Sequence, residues 1–177
     1  MLIQQLSPNA YSCTDIIEDP ALLYKTEELL NSFRPDEIRL CTNPDATARR
    51  EVRRVTEYVY KQQLLATVKY NVEHLLPTEA IQAGLEVWRD YPGYQQGLHR
   101  DQAPVNTVFV AYFGTSVDHS SNDMGTVWID GGKEYSIPYK ANTGLLLKNS
   151  NNILHGMQGT VNNIDYRRAV YINWILT

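Results

Sequence analysis

The 177 residues predict one α+β domain that is mainly β, and three observations carry that expectation. Helical spacing dominates before Pro77, short strands punctuated by turn residues follow it, and no linker, repeat or low-complexity segment divides the two. In the first part, Asp19-Pro20 reads as an N-cap followed by a proline at the first helical position. Leu22, Leu23, Leu29 and Leu30 line one side of that helix, and Pro35 ends it. Glu37 to Thr42 suits a short strand. A second helix is expected over much of Val55 to Leu75, where Val55, Val59, Leu65, Val68, Val72 and Leu75 recur at helical spacing.

Eight strands are expected after Pro77: Leu85–Tyr91, Gln96–Arg100, Val105–Phe113, Thr126–Asp130, Lys133–Pro138, Gly144–Lys148, Ile153–Met157 and Tyr166–Leu176. Asp130-Gly131-Gly132 is a hairpin turn between the fourth and fifth. Gly114 to Gly125 is almost devoid of apolar residues and reads as a loop, a candidate lid or specificity element. Many short, evenly spaced strands imply a sandwich, barrel or jelly roll. On this reading residues 1–77 are mainly helical support packed on one outer sheet face, and residues 78–177 form the β core.

Composition narrows the function classes. A net charge of −4 argues against general affinity for nucleic acid or anionic membrane. No apolar run approaches the roughly 20 residues that span a bilayer. The start, Met-Leu-Ile-Gln-Gln-Leu-Ser-Pro, lacks the basic and apolar regions of a secretory signal. Cys13 and Cys41 form no C-x-x-C pair and read as two reduced structural thiols of a cytoplasmic protein. Twelve tyrosines against three phenylalanines suit a polar-lined cavity as well as a core.

The most informative segment is His99-Arg100-Asp101, with His155 and Arg168 downstream. In an extended segment, residues two apart share a face, so the imidazole and the carboxylate point the same way. A further histidine completes two imidazoles and one carboxylate, the donor set of the non-haem Fe(II) facial triad. Taken singly, each histidine is as well explained by a barrel-rim pair or a satisfied core position. The three together favour a metal site.

With Tyr91-Pro92-Gly93 ahead of His99-Arg100-Asp101, with Leu154-His155-Gly156, and with Arg168 six residues before Trp174, the chain resembles the Fe(II)- and 2-oxoglutarate-dependent oxygenases. The resemblance is to their prolyl-hydroxylase-like branch and covers roughly residues 85 to 176. It implies a double-stranded β-helix (jelly-roll, cupin-like) core with the distal histidine on its seventh strand and a basic residue on its eighth. It also implies Fe(II) held by His99, Asp101 and His155, with 2-oxoglutarate and O₂ as cosubstrates. The expected reaction is hydroxylation of an amino-acid side chain, free or in a protein and including proline, with release of succinate and CO₂. The expected partner is a small-molecule or peptide substrate.

A cosubstrate with two carboxylates needs a cationic anchor. Alternation puts Arg168 on the more apolar face of the last strand with Val170, Ile172 and Trp174, and Arg167 on the other. A guanidinium facing a barrel interior is costly unless an anion meets it, and Arg grips a carboxylate through two parallel hydrogen bonds. Arg168 is therefore the expected anchor, with the pair reversed if the register slips by one. Tyr91 resembles the tyrosine that helps hold the cosubstrate in this branch, although it stands two residues closer to His99 than the pattern has it. The related Y-x-x-H-x-D form is absent, Tyr94 lying further upstream, and Tyr112 is a competing hydroxyl donor.

Weaker signals have plain explanations. Arg49, Arg50, Arg53 and Arg54 would share a helix face, read as solvated rather than as a phosphate-binding patch. His119 beside Asp118 has no ligand-spaced partner, His74 suits a helix C-terminus, and Trp88 and Trp128 suit the core, with the lining of a substrate pocket as the alternative for either. Two rival functions remain: oxidative demethylation of a nucleic-acid base on the same fold, and a non-catalytic jelly-roll binding module.

Overall fold

The structure is a computed structural model that describes residues 1–33, 35–42, 49–113, 124–161 and 166–176. Its elements in chain order are β1 (Leu2–Ser7), β2 (Ala10–Thr14), α1 (Pro20–Asn31), β3 (Ile38–Thr42), β4 (Arg49–Arg54) and α2 (Tyr58–Val72). There follow β5 (Ala80–Asp90), β6 (Val105–Tyr112), β7 (Thr126–Asp130), β8 (Lys133–Ile137), β9 (Thr143–Leu147), β10 (Leu154–Met157) and β11 (Arg167–Leu176). One sheet has eight strands in the order β1-β2-β9-β6-β11-β5-β4-β3, and a second has three, β10-β7-β8. Every pairing is antiparallel. This mostly β architecture with two helices is that of a jelly roll.

Local chemistry explains the elements that match expectation. The Asp19 carboxylate accepts a hydrogen bond from the Ala21 amide at 2.9 Å, and Pro20 begins α1. Gly131 and Gly132 both have positive φ, the conformation that lets a two-residue turn follow the strand twist, and Asp130 pairs with Lys133 across it. No helix among the described residues is long and apolar enough to cross a membrane.

Three expectations are corrected. The first 77 residues are more than helical support, since beside α1 and α2 they supply four strands of the large sheet, β1 to β4. Arg49–Arg54 is strand β4 and not a helical face, and Arg50 and Arg53 are buried in ion pairs instead of solvated. Alternate residues of β4 serve different layers, Arg50 meeting Asp90 and Arg53 meeting Glu37 and Glu57. Gln96–Arg100 is not a ladder strand but an extended segment joined to β10 by the His99–His155 bridge and by the Met157 amide, which donates to the Gln96 carbonyl at 2.9 Å. The second helix falls within the expected span, with a buried stripe of Tyr60, Leu64, Val68 and Val72 that leaves Val59 exposed.

Both faces of the large sheet are buried, and they differ in chemistry. Val87, Val170, Ile172 and Trp174 join one cluster with α1 and α2 side chains such as Leu30 and Leu64. The opposite face of β5 and β11 carries Trp88, Glu86, Arg167, Tyr171 and Asn173, which line a cavity of about 350 Å³ between the sheets.

Candidate metal centre and cosubstrate cavity

His99, Asp101 and His155 converge at one end of that cavity, with one donor atom from each lying within 4.8 Å of the others. His155 Nε2 is 3.6 Å from Asp101 Oδ2, and His99 Nε2 is 4.0 Å from Asp101 Oδ1. The backbone sets this arrangement. His99 and His155 exchange two amide hydrogen bonds of 2.9 Å each, and the Asp101 amide donates to the Ser150 carbonyl at 3.2 Å. Gly156 lets the His99 segment approach, because a Cβ there would sit 2.8 Å from the Gln96 and Gly97 carbonyl oxygens.

The tautomers follow from the partners. His99 Nδ1 lies 3.0 Å from the Gly97 carbonyl oxygen, and His155 Nδ1 lies 2.9 Å from that of Ile153. A carbonyl only accepts, so each proton is on Nδ1 and each Nε2 turns a lone pair toward Asp101. Burial, more than any other influence, pushes the His155 pKa down and keeps the ring neutral, the form that binds metal. Asp101 Oδ2 is buried with no hydrogen-bond partner. A buried carboxylate oxygen left unpaired between two imidazole rings is stabilised by a cation, so these residues fit a divalent metal.

Deeper in the cavity, two guanidinium groups share one carboxylate. Arg50 donates to Asp90 at 2.5 and 3.0 Å, and Arg167 donates to Asp90 at 2.8 Å and to the Met124 carbonyl at 2.6 Å. All three side chains are at most 4% exposed. Two buried cations against one buried anion leave a surplus positive charge that an anionic ligand would offset. The Arg50 Nη1 also donates to Gln96 Oε1 at 3.0 Å, while Gln96 Nε2 sits 3.2 Å from His99 Nε2. The charged cluster thus reaches His99 Nε2 through one amide.

The expected cosubstrate residues are redistributed. Arg167 lines the cavity, whereas Arg168 lies on the helix-side face with its Nε buried and unpartnered. An apolar strand face ordinarily marks a barrel interior, but in β11 the helices cover the apolar face and the polar face looks inward. Tyr91 lies past the end of β5 and donates to Glu51 at 2.9 Å, with Arg49 stacked 4.1 Å from its ring. It is not a cavity residue. Tyr94 takes that place, its hydroxyl pKa raised by burial, with Arg50 stacked over its ring at 4.8 Å. Tyr112 is fully buried, its hydroxyl against Thr126 Oγ1 and its ring 5.0 Å from the Arg167 guanidinium, so it supports the cavity wall from behind. Trp128 is core as expected, while Trp88 lines the cavity. Asp118, His119 and most of the Gly114–Gly125 loop lie outside the described residues.

Sequence reasoning missed Arg50, Asp90, Tyr94 and Gln96. The readable signal for Arg50 was the charge-dense run Arg49–Arg54, which as a strand must place charges on both of its faces.

No protein-family model matches the sequence, and no curated protein sequence matches it. Solved structures do match in shape. An oxidoreductase of the 2OG-Fe(II) oxygenase family from Burkholderia pseudomallei superposes with a TM-score of 0.72 at 12% identity, covering 94% of this chain and 85% of its own. A Trichoplax adhaerens prolyl hydroxylase, in complex with a peptide fragment of the hypoxia-inducible factor oxygen degradation domain, gives 0.69 at 8% identity, covering 94% and 83%. HygX from Streptomyces hygroscopicus, with nickel, 2-oxoglutarate and hygromycin B bound, gives 0.68 at 10% identity, covering 96% and 83%. At these identities the likeness establishes the fold.

Proposed function

We propose that this chain, whose fold is that of the 2OG-Fe(II) oxygenases, is an Fe(II)- and 2-oxoglutarate-dependent dioxygenase that hydroxylates an amino-acid side chain, free or within a protein. The observation that carries the reading is the unpaired, buried Asp101 Oδ2 between two lone-pair-bearing imidazoles, beside a cavity with a surplus guanidinium charge. His99, Asp101 and His155 would hold Fe(II) on one face and leave its other face open. Arg167 would bind the distal carboxylate of 2-oxoglutarate, with Asp90 and the Met124 carbonyl fixing the direction of its guanidinium. Thr126 and Tyr94 line the same cavity and offer hydroxyl groups to that ligand. Arg50 orients Gln96, whose amide holds the His99 ring until a metal takes its lone pair.

When bound, Fe(II) would couple oxidation of 2-oxoglutarate by O₂, to succinate and CO₂, to conversion of a substrate C–H bond into C–OH. The chain's own task is positioning and water exclusion, with Trp88 and Met157 among the apolar walls. Prolyl hydroxylases among the similar folds support an amino-acid side chain as substrate, and the peptide bound to the Trichoplax enzyme supports a protein-borne one.

Anaerobic titration with Fe(II) and then 2-oxoglutarate tests the proposal. The expected result is a visible charge-transfer absorption that saturates at one equivalent, followed by succinate on admission of O₂. Absence of both the absorption and succinate overturns it. A nucleic-acid substrate finds no support in the basic run, because Arg50 and Arg53 are buried in ion pairs.

A further inference from the structure

The inner face of β11 presents Arg167, Ala169, Tyr171 and Asn173 in order, with Asp90, Trp88, Glu86 and Gly84 opposite them on β5. At about 3.3 Å per residue, Arg167 and Tyr171 are roughly 13 Å apart along the strand. The cavity is therefore polarised. Its Arg167 end is cationic, and the far end carries the Glu86 carboxylate, whose side chain is 20% exposed. A dicarboxylate cosubstrate is attracted to the first end and repelled from the second, which leaves the Glu86 end for the primary substrate.

Three features of that end favour a cation. Trp88 Nε1 donates to Glu86 Oε2 at 3.0 Å, fixing the carboxylate but satisfying only one of its oxygens fully. The other, Oε1, lies 3.7 Å from Nη2 of Arg39, a side chain 69% exposed. The chain thus sets its own guanidinium at this carboxylate, held by a contact of the weak, solvent-screened kind. Asn173 Oδ1, on the same wall, is buried without a hydrogen-bond partner and sits where a Cβ on Gly84 would come within 3.0 Å of it. Beside these two acceptors, Trp88 and Tyr171 stack at 4.3 Å with an 18° interplanar angle, giving a rigid aromatic wall.

We infer that the primary substrate carries a cationic nitrogen group, an ammonium or guanidinium, which Glu86 and Asn173 bind beside the Trp88–Tyr171 pair after displacing Arg39. The inference deepens the oxygenase reading and rests on it for the word substrate, but the binding site stands on its own residues. It makes opposite predictions for two neighbours: Glu86 attracts the ligand and Arg39 competes with it.

The test is binding of n-butylammonium and n-butylguanidinium to the full chain without metal, followed by tryptophan fluorescence and ligand-observed NMR, with n-butanol as the uncharged control. The expected result is saturable binding of at least one cation and none of the alcohol. Glu86→Gln should weaken binding about tenfold or more, the loss of a charge-assisted hydrogen bond. Arg39→Ala should strengthen it about two- to fivefold, the size of an exposed ion pair. Arg39 is exposed, so that variant folds irrespective of the outcome at Glu86. Equal binding of the alcohol, or weaker cation binding in Arg39→Ala, overturns the inference. Anaerobic titration of the unmodified chain with Fe(II) and 2-oxoglutarate separates the two claims. A charge-transfer band without cation binding leaves the oxygenase reading standing, and cation binding without the band leaves only the amine site.

Discussion

At the scale of single residues, one residue of register decides which arginine borders the cavity. Arg167 and Arg168 are both buried, but only Arg167 shares Asp90 with Arg50 and borders the cavity. Replacing Arg167 by Leu leaves Asp90 still paired with Arg50, so the fold should survive the change. The proposed loss is in cosubstrate binding. Arg167→Leu should raise the dissociation constant for 2-oxoglutarate about a hundredfold, the scale of losing one bidentate charged contact, and Arg167→Lys should recover part of it. Arg168→Leu should leave that constant within about twofold. Calorimetric titration with the metal site filled by a redox-inert divalent ion measures both, and a larger effect at Arg168 would return the anchor to the helix-side face.

At the scale of elements, the β1–β2 hairpin is tied to β7 through one carboxylate. Ser7 Oγ donates to Asp130 Oδ2 at 2.7 Å, and the Asn9 amide and side chain donate to the same group at 3.1 Å each. Burial alone would raise the Asp130 pKa, but these hydrogen bonds outweigh it and the net direction is down. A carboxyl with a depressed folded pKa stabilises the protein above its unfolded value, about 3.9, and that contribution is lost as pH falls through the lower folded value. Asp130→Ala should therefore cost about 1–3 kcal/mol near neutral pH, and the gap from the unmodified chain should close only in the acid range below about pH 4. Urea unfolding followed across that range checks the sign, and a gap that widens as pH falls would refute it. None of this hairpin was readable beforehand, because Leu-Ile-Gln-Gln-Leu-Ser lacks the alternation of a half-buried strand. The edge position explains why, since β1 has one neighbour and five of its six residues, polar and apolar without pattern, are exposed or half-buried. By contrast, the Asp130-Gly131-Gly132 turn announced β7 and β8, because only a narrow set of residues adopts two successive positive φ angles.

At the scale of the whole molecule, the legible and illegible parts divide along one physical line. The donors His99, Asp101 and His155 could be read because metal chemistry restricts residue type and local spacing. The face of β11 that borders the cavity could not, because period two assigns residues to faces without saying which face has the helices on it. In a structure with two buried layers, the apolar face went to the helices and the polar face to the barrel, so the usual equation of apolar with interior pointed the wrong way. Arg-Arg-Glu-Val-Arg-Arg was hidden for the same reason, its charges being satisfied by partners 38 and 40 residues downstream as well as nearby. That arrangement has a global thermodynamic consequence. The surplus guanidinium charge around Asp90 of β5 is carried by β4 and β11, the strands on either side of it, so an anion bound there acts on the stability of the sheet as a unit. Glutarate, which has both carboxylates of the cosubstrate but lacks the keto group needed for chelation, should bind at Arg167 without any metal. A ligand that binds only the folded state at 100 times its dissociation constant adds about 2.7 kcal/mol. For a chain of this size, that corresponds to a rise in Tm of about 5–11 °C. The uncharged diamide of glutaric acid should give no rise, and Arg167→Leu should abolish the glutarate effect while Arg168→Leu retains it. Differential scanning calorimetry of the metal-free chain decides the matter: an equal shift from acid and diamide would mean that the buried charge is already balanced within the protein.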